Sequence, residues 1–365
     1  MENRPRIFIS PARYVQGAGA IFELGLHVSP LGKNALVVGG KSGLSATRAG
    51  REKSFSEHGI RQTESLFSGE SSEREIDRLT RLAEDSGCDV IVASGGGKAI
   101  DAVKAAASRL GLPAVIVPTV ASNDAPCSSL SVVYNDDGAF NRLLPLARNP
   151  DLVLVDTAII AAAPVRQLVS GMGDALATWF EADAGYRSGA LNVPGGTITL
   201  TAVTLARLCY DTLREYGVAA KLACEQHVVT PALEKVVEAN TLLSGLGFES
   251  GAVALAHALS EGFSDIPSMH GYSHGEKVGF CLLVQLVLEG RATDELLDVF
   301  KFCKAVGLPT TLRELGSEDA DRALLRKAAD TAAEPGRPSG NLPFPISGEK
   351  IADAIVAADA MGRLL

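Results

Sequence analysis

The sequence contains few of the features that mark disulfide-stabilised proteins. Its 365 residues include only six cysteines, and no two of them stand in a C-x-x-C arrangement. Because they are scattered through apolar segments, we interpret them as buried free thiols. This pattern favours a protein of the reducing cytoplasm.

Long apolar runs and an excess of positive charge are also missing. The longest apolar run, Val278 to Leu288, is shorter than the ~20 residues that span a bilayer, and the stretch before Pro11 is too short for a secretory signal. With 34 Lys and Arg against 43 Asp and Glu, the formal net charge is −9, which repels phosphate backbones and anionic lipids. We therefore expect no membrane and no nucleic-acid partner, and a small neutral substrate.

The chain is rich in material for packed cores. Hydrophobic residues make up 46% of it and charged residues 21%, and 365 residues exceed the usual size of one domain. Short strand-like runs at 35–38, 63–67, 90–93, 114–117 and 152–156, most of them β-branched and apolar, alternate with helical stretches, which predicts a doubly wound parallel sheet. We predict an α/β domain over residues 1–164 and an all-helical domain over residues 165–365.

Two local patterns refine this organisation. Asn135-Asp136-Asp137-Gly138 separates two strand-like segments, and its Asp-Gly pair predicts the turn of an inserted antiparallel ribbon. Beyond residue 164 the helical period predicts, among others, helices over 165–184, 195–216, 219–226, 231–245, 251–263 and 276–288.

A glycine-rich turn joins a predicted strand to a predicted helix. Val90 to Ser94 run directly into Gly95-Gly96-Gly97-Lys98. Glycines let a ligand approach the backbone, the first helical N–H groups donate to phosphate oxygens, and the helix dipole favours negative charge. One interpretation is therefore a pyrophosphate-binding turn. The other is a tight turn that needs glycine for steric reasons alone.

The next predicted strand ends in a segment of small hydroxyl side chains, Pro118 to Ser128. Ligands of open α/β sheets bind at the carboxyl ends of the strands. Thr119, Ser122 and Ser128 are therefore candidate nucleotide contacts, and Asp124 is a candidate partner of a substrate hydroxyl. The alternative is a turn that caps itself through its Ser, Asn and Asp side chains.

One carboxylate and two imidazoles stand in largely apolar helical surroundings, at Asp174, His257 and His274. Three protein ligands with one open coordination position are what a catalytic Zn²⁺ keeps. Each histidine also has a structural alternative. His257 has the setting of a hydrogen-bonded core residue, and His274 that of the first turn of a helix capped by Ser273 and Glu276.

Five motifs together resemble the glycerol dehydrogenase branch of the iron-containing alcohol dehydrogenase superfamily. They follow in order along nearly the whole chain, from about Arg13 onward. The motifs are Gly95–Asp101, Ala121–Ser128, Gly173–Trp179, Gly247–Gly251 and His274–Val278. The resemblance implies the dehydroquinate synthase-like architecture, with a Rossmann-like dinucleotide-binding domain and a helical metal-binding domain. It also implies reversible, NAD-linked oxidation of a secondary hydroxyl in a small polyol such as glycerol.

The resemblance assigns roles to individual positions. It implies that Asp174, His257 and His274 bind Zn²⁺ and that Asp124 binds a substrate hydroxyl, so that these four are the catalytic residues. The dinucleotide contacts that it implies are Gly97, Lys98, Asp101, Thr119, Ser122, Ser128, Leu130 and Tyr134. The interpretation of the glycine-rich turn as a pyrophosphate-binding turn adds Gly95 and Gly96. Members of this superfamily commonly form homo-oligomers, often octamers, and we expect a homo-oligomer here.

The chain departs from the family pattern in ways that leave alternatives open. Gly40 stands where the family usually has a ribose-binding aspartate, which leaves NADP open beside NAD. Ser260 and Gly271 replace family histidines, Asn123 replaces a threonine, and the late loop keeps only Asn341 of a His-Asn pair, so the exact polyol is open. Fe²⁺ is likewise open beside Zn²⁺.

Two other function classes deserve comparison. A phosphorylated-substrate enzyme of the same scaffold, such as a glycerol-1-phosphate dehydrogenase or a dehydroquinate synthase-like lyase, would need a cluster of cations, and the sequence offers only Lys277 near the three metal ligands. A non-catalytic binding protein would have no need to keep both the glycine turn and all three ligands.

Overall fold

The computed structural model describes residues 4–317 and 322–365. The chain forms two compact units. The sheet unit consists of Ser10–Leu168 and Leu222–Gly245, and the helical unit consists of the residues up to Ile9, Val169–Lys221 and Leu246–Leu365. The domain boundary that we place after Pro164 stays a prediction. In the structure, the chain returns once to the sheet unit, at Leu222–Gly245.

The sheet unit has an alternating α/β order. Its elements are β1 (Tyr14–Gly17), α1 (Leu24–Val28), β2 (Asn34–Gly39), α2 (Lys41–Glu57), β3 (Arg61–Leu66), α3 (Glu73–Asp85), β4 (Val90–Gly95), α4 (Gly97–Leu110), β5 (Ala114–Pro118), β6 (Leu130–Tyr134), β7 (Phe140–Pro145), β8 (Leu152–Asp156) and α5 (Thr157–Ala162). Six strands form one sheet in the order β1-β8-β5-β4-β2-β3, and every pair in it is parallel. The predicted α/β fold with a parallel sheet is confirmed.

Burial explains why this sheet reads as continuous apolar runs. Val92 and Val117 belong to a core shared with Leu44 of α2, while their neighbours Ile91 and Ile116, which point to the opposite face, are also fully buried. A strand covered on both faces cannot alternate apolar and polar residues. Each strand predicted for this sheet forms, although the edge strand β3 is largely exposed and polar, and β1 is not predicted.

The inserted ribbon forms as the sequence predicts. β6 and β7 pair antiparallel, with a register shift between Val133 and Tyr134. Gly138 closes the turn with φ 86°, a left-handed conformation that glycine adopts without strain. The ribbon brings Leu130 and Tyr134 back beside α4.

The remaining elements are helical. They are α6 (Val165–Ser188), α7 (Leu200–Glu225), α8 (Pro231–Glu238), α9 (Ser244–Ser250), α10 (Leu255–Ser264), α11 (His274–Leu288), α12 (Thr293–Val306), α13 (Arg322–Ala332) and α14 (Gly348–Gly362). One π-helical turn, Ala239–Leu243, joins α8 to α9. The two helices predicted over 195–216 and 219–226 are a single helix, α7. Gly217 lies inside this helix. A Cβ added there would lie 2.9 Å from the Phe302 ring, so glycine permits close packing at this position.

Two expectations drawn from composition can be compared with the structure. All six cysteines are buried free thiols. Within residues 4–317 and 322–365, no single helix is long and apolar enough to cross a membrane, and one bent helix pair, Pro231–Ser250 with Leu255–Ser264, passes that test by length and composition only.

Candidate metal and dinucleotide sites

Three residues from separate helices of the helical unit converge on one point. The Oδ1 atom of Asp174 lies 3.3 Å from Nε2 of His257 and 3.3 Å from Nε2 of His274. One ligand atom from each residue lies within 4.8 Å of the other two, a spacing that can hold a metal ion. The structure therefore brings together all three residues that the sequence proposes as metal ligands.

Two glycines next to these ligands explain how α6 and α11 come so close. A Cβ added to Gly173 would lie 2.2 Å from the carbonyl oxygen of Gly275, and one added to Gly275 would lie 1.8 Å from that of Ser170. The two backbones therefore touch directly beside Asp174 and His274. This helix contact therefore requires the two glycines, each of which is the sequence neighbour of a ligand.

The cap of α11 fixes the position of His274. Ser273 and Glu276 form a complete capping box, in which the Ser273 hydroxyl accepts from the Glu276 N–H and the Glu276 side chain accepts from the Ser273 N–H. His274 is thus the first residue of the helix, as its structural alternative proposes. It also points toward Asp174, so the two interpretations are compatible.

A buried carboxylate that the sequence analysis missed supports the cluster. Nδ1 of His257 donates to Oε2 of Glu181 at 2.5 Å. The other oxygen of Glu181 accepts from the N–H groups of Ala254 and His257, at 2.8 and 3.1 Å, at the start of α10. Glu181 lies seven residues, or about two helical turns, after Asp174 on α6. Two carboxylates at that spacing on an apolar helix are the signal that could have found it.

The electrostatics of the cluster favour a positive charge. Burial raises the pKa of Asp174, but the two imidazoles outweigh it and hold that pKa well below its ordinary value. Burial lowers the pKa of His257, yet Glu181 and Asp174 raise it well above its usual range. Two carboxylates facing two imidazole edges stabilise either protons or a cation. The donor set, with His274 half exposed, fits a divalent metal ion.

The glycine-rich turn lies between β4 and α4 in the sheet unit. A Cβ added to Gly97 would lie 2.6 Å from Nδ2 of Asn123, so a larger residue there would require the Asn123 side chain to move. A Cβ added to Gly96 would make only ordinary contact, 3.4 Å from Val120. None of the three glycines has a positive φ. Contacts within the protein therefore do not require glycine at position 96.

The cation of this turn is already paired. Nζ of Lys98 lies 2.6 Å from Oε2 of Glu70 and 5.3 Å from the centre of the Tyr134 ring. Lys98 and Tyr134, both predicted dinucleotide contacts, are thus neighbours. Glu70 is a further residue that sequence reasoning did not identify.

Most of the other predicted dinucleotide contacts surround the start of α4. The Thr119 N–H donates to the carbonyl of Gly95 at 3.1 Å, while Ser122 is half-buried in the same segment. Asp101 is buried, and its carboxylate oxygens face Nζ of Lys104 at 3.1 Å and the N–H of Val132 at 3.2 Å. Its carboxylate is thus engaged inside the protein.

Asp124 is held by a residue that the sequence analysis did not select. The hydroxyl of Ser244 donates to its Oδ2 atom at 2.7 Å. The same segment is anchored by Asn240, whose side chain donates to the carbonyl of Ala121 at 3.0 Å. The carboxylate therefore has a fixed orientation, supported from the π-helical turn and the start of α9.

Two of the positions that depart from the family pattern, Ser260 and Asn341, donate hydrogen bonds to main-chain carbonyls. The Ser260 hydroxyl donates to the carbonyl of His257 at 2.9 Å, and the Asn341 side chain donates to that of Val253 at 2.8 Å. Gly271 is exposed. Gly40 is the N-cap of α2 with an extended backbone, and a Cβ added there meets no described heavy atom within 4 Å.

Comparisons with known proteins find similar chains along nearly the whole length of this one. Residues 11–157 match the family described as iron-containing alcohol dehydrogenase. A glycerol dehydrogenase of Escherichia coli O6:H1 is 49% identical over 358 residues, 98% of each chain, and a glycolaldehyde reductase of Halobacterium salinarum is 43% identical, also over 98% of each. The crystal structure of glycerol dehydrogenase from Schizosaccharomyces pombe matches with a TM-score of 0.96 at 38% identity, covering 100% of this chain and 92% of that one.

Proposed function

The chain belongs to the iron-containing alcohol dehydrogenase family, and on that premise we propose that it reversibly oxidises a secondary hydroxyl of a small polyol or vicinal diol, with glycerol as the leading substrate. Membership makes it a nicotinamide-linked oxidoreductase that uses a divalent metal. The observation that carries the proposal is the convergence of Asp174, His257 and His274. Glycerol oxidised at its central carbon gives dihydroxyacetone.

We propose Zn²⁺ as the metal. One carboxylate and two imidazoles leave a coordination position open for a substrate oxygen, as catalytic zinc sites do. The same donors also form the set of non-haem Fe²⁺ sites. Elemental analysis of the protein purified without added metal decides between the two, because it reports which ion the cluster retains.

The chain's own residues bind and orient the reactants. A bound divalent cation supplies Lewis-acid polarisation of the substrate hydroxyl, and the nicotinamide supplies the two-electron acceptor. Asp174 and the two histidines hold the cation, and Glu181 keeps Nε2 of His257 directed at it. Asp124, fixed by Ser244, accepts a hydrogen bond from a second substrate hydroxyl.

The cofactor proposal rests on the sheet unit. We propose that the pyrophosphate of NAD binds at Gly95–Lys98 and that its neighbouring groups contact Thr119, Ser122, Ser128, Leu130 and Tyr134. The lack of a steric requirement for glycine at position 96 and the helix N-terminus at Gly97 support this assignment. Because Gly40 carries no carboxylate, we expect weak discrimination against NADP.

The alternative of a phosphorylated substrate is less well supported. Nζ of Lys277 donates to the Ser264 hydroxyl at 2.8 Å, and Nη1 of Arg337 lies 2.6 Å from Oε2 of Glu261. Both cations of this part of the helical unit therefore already have partners. A phosphoryl group would have to compete with Glu261 for Arg337.

A substrate panel tests the proposed function. Oxidation with NAD or NADP is assayed for glycerol, vicinal diols and glycerol 1-phosphate. Reduction with NADH or NADPH is assayed for dihydroxyacetone and glycolaldehyde. We expect the highest kcat/KM for an unphosphorylated polyol or its ketone. Preference for glycolaldehyde would place the chain with the Halobacterium relative, and preference for glycerol 1-phosphate would overturn the proposal.

We also propose that the enzyme is a cytoplasmic homo-oligomer. Leu200 and Leu208 on α7 are 61% and 49% exposed, which suits burial against another copy. Free thiols at all six cysteines agree with a reducing compartment. Light scattering coupled to size-exclusion chromatography measures the subunit number, and a monomer at micromolar concentration would contradict the first part.

A further inference from the structure

Lys104 is a buried cation that the proposed reaction does not yet use. It lies on α4, and 1% of its side chain is exposed. Its Nζ atom is 3.1 Å from Oδ1 of Asp101 and donates to the carbonyl of Ala125 at 2.8 Å. It also contacts the carbonyl and hydroxyl oxygens of Ser128, at 3.3 and 3.2 Å, and the carbonyl of Leu130.

Three of these partners are predicted dinucleotide contacts, namely Asp101, Ser128 and Leu130. The ammonium group of Lys104 thus contacts three residues of the proposed cofactor site. The hydrogen bonds from the Ser131 hydroxyl to the carbonyl of Asp101, at 2.7 Å, and from the Val132 N–H to its carboxylate tie the same segment to α4. These contacts join α4, the helix that follows the glycine-rich turn, to residues 125–132.

A buried ammonium is costly unless ionic and hydrogen-bonding partners replace its water. Here most of the partners are main-chain carbonyls of the short segment that joins the 3₁₀ turn Ala125–Cys127 to β6. Without the ammonium group, the carbonyls of Ala125 and Leu130 would keep only the 3.4 Å hydrogen bonds from the Ser128 hydroxyl. The cation therefore fixes the path of that segment as well as neutralising Asp101.

We propose that Lys104 is a positioning residue that holds residues 125–130 in the conformation that binds the dinucleotide, with Asp101 acting through Lys104. This inference rests on the proposed cofactor role of the sheet unit. It predicts that loss of the cation weakens NAD(H) binding without disturbing the metal cluster of the helical unit.

The test compares Lys104→Met with the parent protein, both loaded with metal. NADH affinity is measured by fluorescence titration, and hydrogen exchange is followed in peptides covering residues 125–132. We expect Lys104→Met to raise the Kd for NADH by ~10-fold or more and to speed exchange in that segment, because charge-assisted hydrogen bonds are lost. Metal content is expected to stay that of the parent.

Lys98→Met is the matched control on the same helix. It removes a cation that is half exposed. We expect this variant to bind NADH more weakly and with less dependence on salt concentration, while hydrogen exchange over residues 125–132 stays unchanged. Unchanged NADH affinity or unchanged exchange in folded Lys104→Met would overturn the inference.

Ser131→Ala keeps the inference testable if Lys104→Met does not fold. It removes one hydrogen bond from the same contact without leaving a buried charge, and we expect a smaller rise in Kd, ~3-fold, with faster exchange. Parent-like affinity in this variant would then count against the inference. Failure of the parent protein to bind NADH would instead reject the proposed cofactor.

Discussion

At the scale of single residues, Glu181 decides which nitrogen of His257 faces the cluster. Its carboxylate accepts the hydrogen bond from Nδ1, which leaves Nε2 as the nitrogen that faces Asp174. Carboxylates in this position orient the ring and raise the basicity of a metal-ligating imidazole. An amide in place of the carboxylate keeps the shape but loses the charge.

We therefore predict that Glu181→Gln lowers metal affinity by about 10- to 100-fold. A competition titration with a chromophoric chelator measures the change. Glu75→Gln is the control, because Glu75 is also buried and ion-paired, with Arg78, but belongs to the sheet unit. Metal affinity that falls equally in both variants would mean that a general loss of stability is responsible.

Gly96 gives a second prediction. Gly96→Ala adds a methyl group that the protein accommodates, so the free energy of unfolding is expected to change by no more than about 1 kcal/mol. The same methyl group occupies the approach to the backbone that a pyrophosphate needs, and we expect the Kd for NADH to rise ~10-fold or more. Calorimetry and fluorescence titration separate the two effects.

Gly17→Ala is the corresponding control. It lies at the end of β1, and an added Cβ meets no described heavy atom within 4 Å. We expect parent-like NADH binding in this variant. Parent-like binding in Gly96→Ala as well would remove the glycine-rich turn from the cofactor site.

Gly40 gives a prediction about cofactor choice. A carboxylate at this position accepts from the ribose hydroxyls of NAD and repels a 2′-phosphate. Because the position is open, Gly40→Asp is expected to fold and to shift the ratio of kcat/KM toward NAD by ~10-fold. Gly40→Asn controls for size without charge. If the ratio is the same in the parent and in Gly40→Asp, this residue does not face the ribose.

At the scale of elements, the contact of α6 with α11 builds the metal cluster. Gly275→Ala places a methyl group 1.8 Å from a backbone oxygen, which the side chains around it cannot relieve. We predict that the helices separate, that metal affinity falls by 10-fold or more, and that the unfolding temperature drops. Isothermal titration with Zn²⁺ and thermal denaturation measure these effects.

Gly279→Ala is the matched control, one turn later on the same helix. Its added Cβ would lie 3.5 Å from Gly173, which is ordinary contact. We expect this variant to keep the metal affinity of the parent. A similar loss in both variants would show that helix propensity or general packing, rather than the contact beside the ligands, explains the result.

The elements that are predictable from sequence are those whose burial leaves a periodic pattern. β4 and β5 are buried on both faces and appear as continuous apolar runs, whereas β1 has four half-buried residues that include Gln16 and gives no such signal. The sequence prediction divides α7 into two helices on either side of Gly217. The residue packed against this glycine, Phe302, is distant in sequence and leaves no local signal. Long-range contacts of this kind leave little trace in a local pattern.

At the scale of the whole molecule, the site is predictable only in part for the same reason. Asp174, His257 and His274 are recognisable by residue type and by motif order. Glu181, Ser244 and Lys104 act through contacts with distant segments, and each is an ordinary buried polar residue when its own neighbourhood is read alone. Partners of this kind become visible only when the helices are assembled.

The central claim concerns the three ligands, and Asp174→Ala tests it most directly. Zinc and iron content per chain is measured together with glycerol turnover, and circular dichroism checks the fold. We predict about one metal ion per chain in the parent, and loss of both metal and turnover in a folded variant, because one of three ligands is gone. Full turnover by a metal-free Asp174→Ala protein would contradict the account.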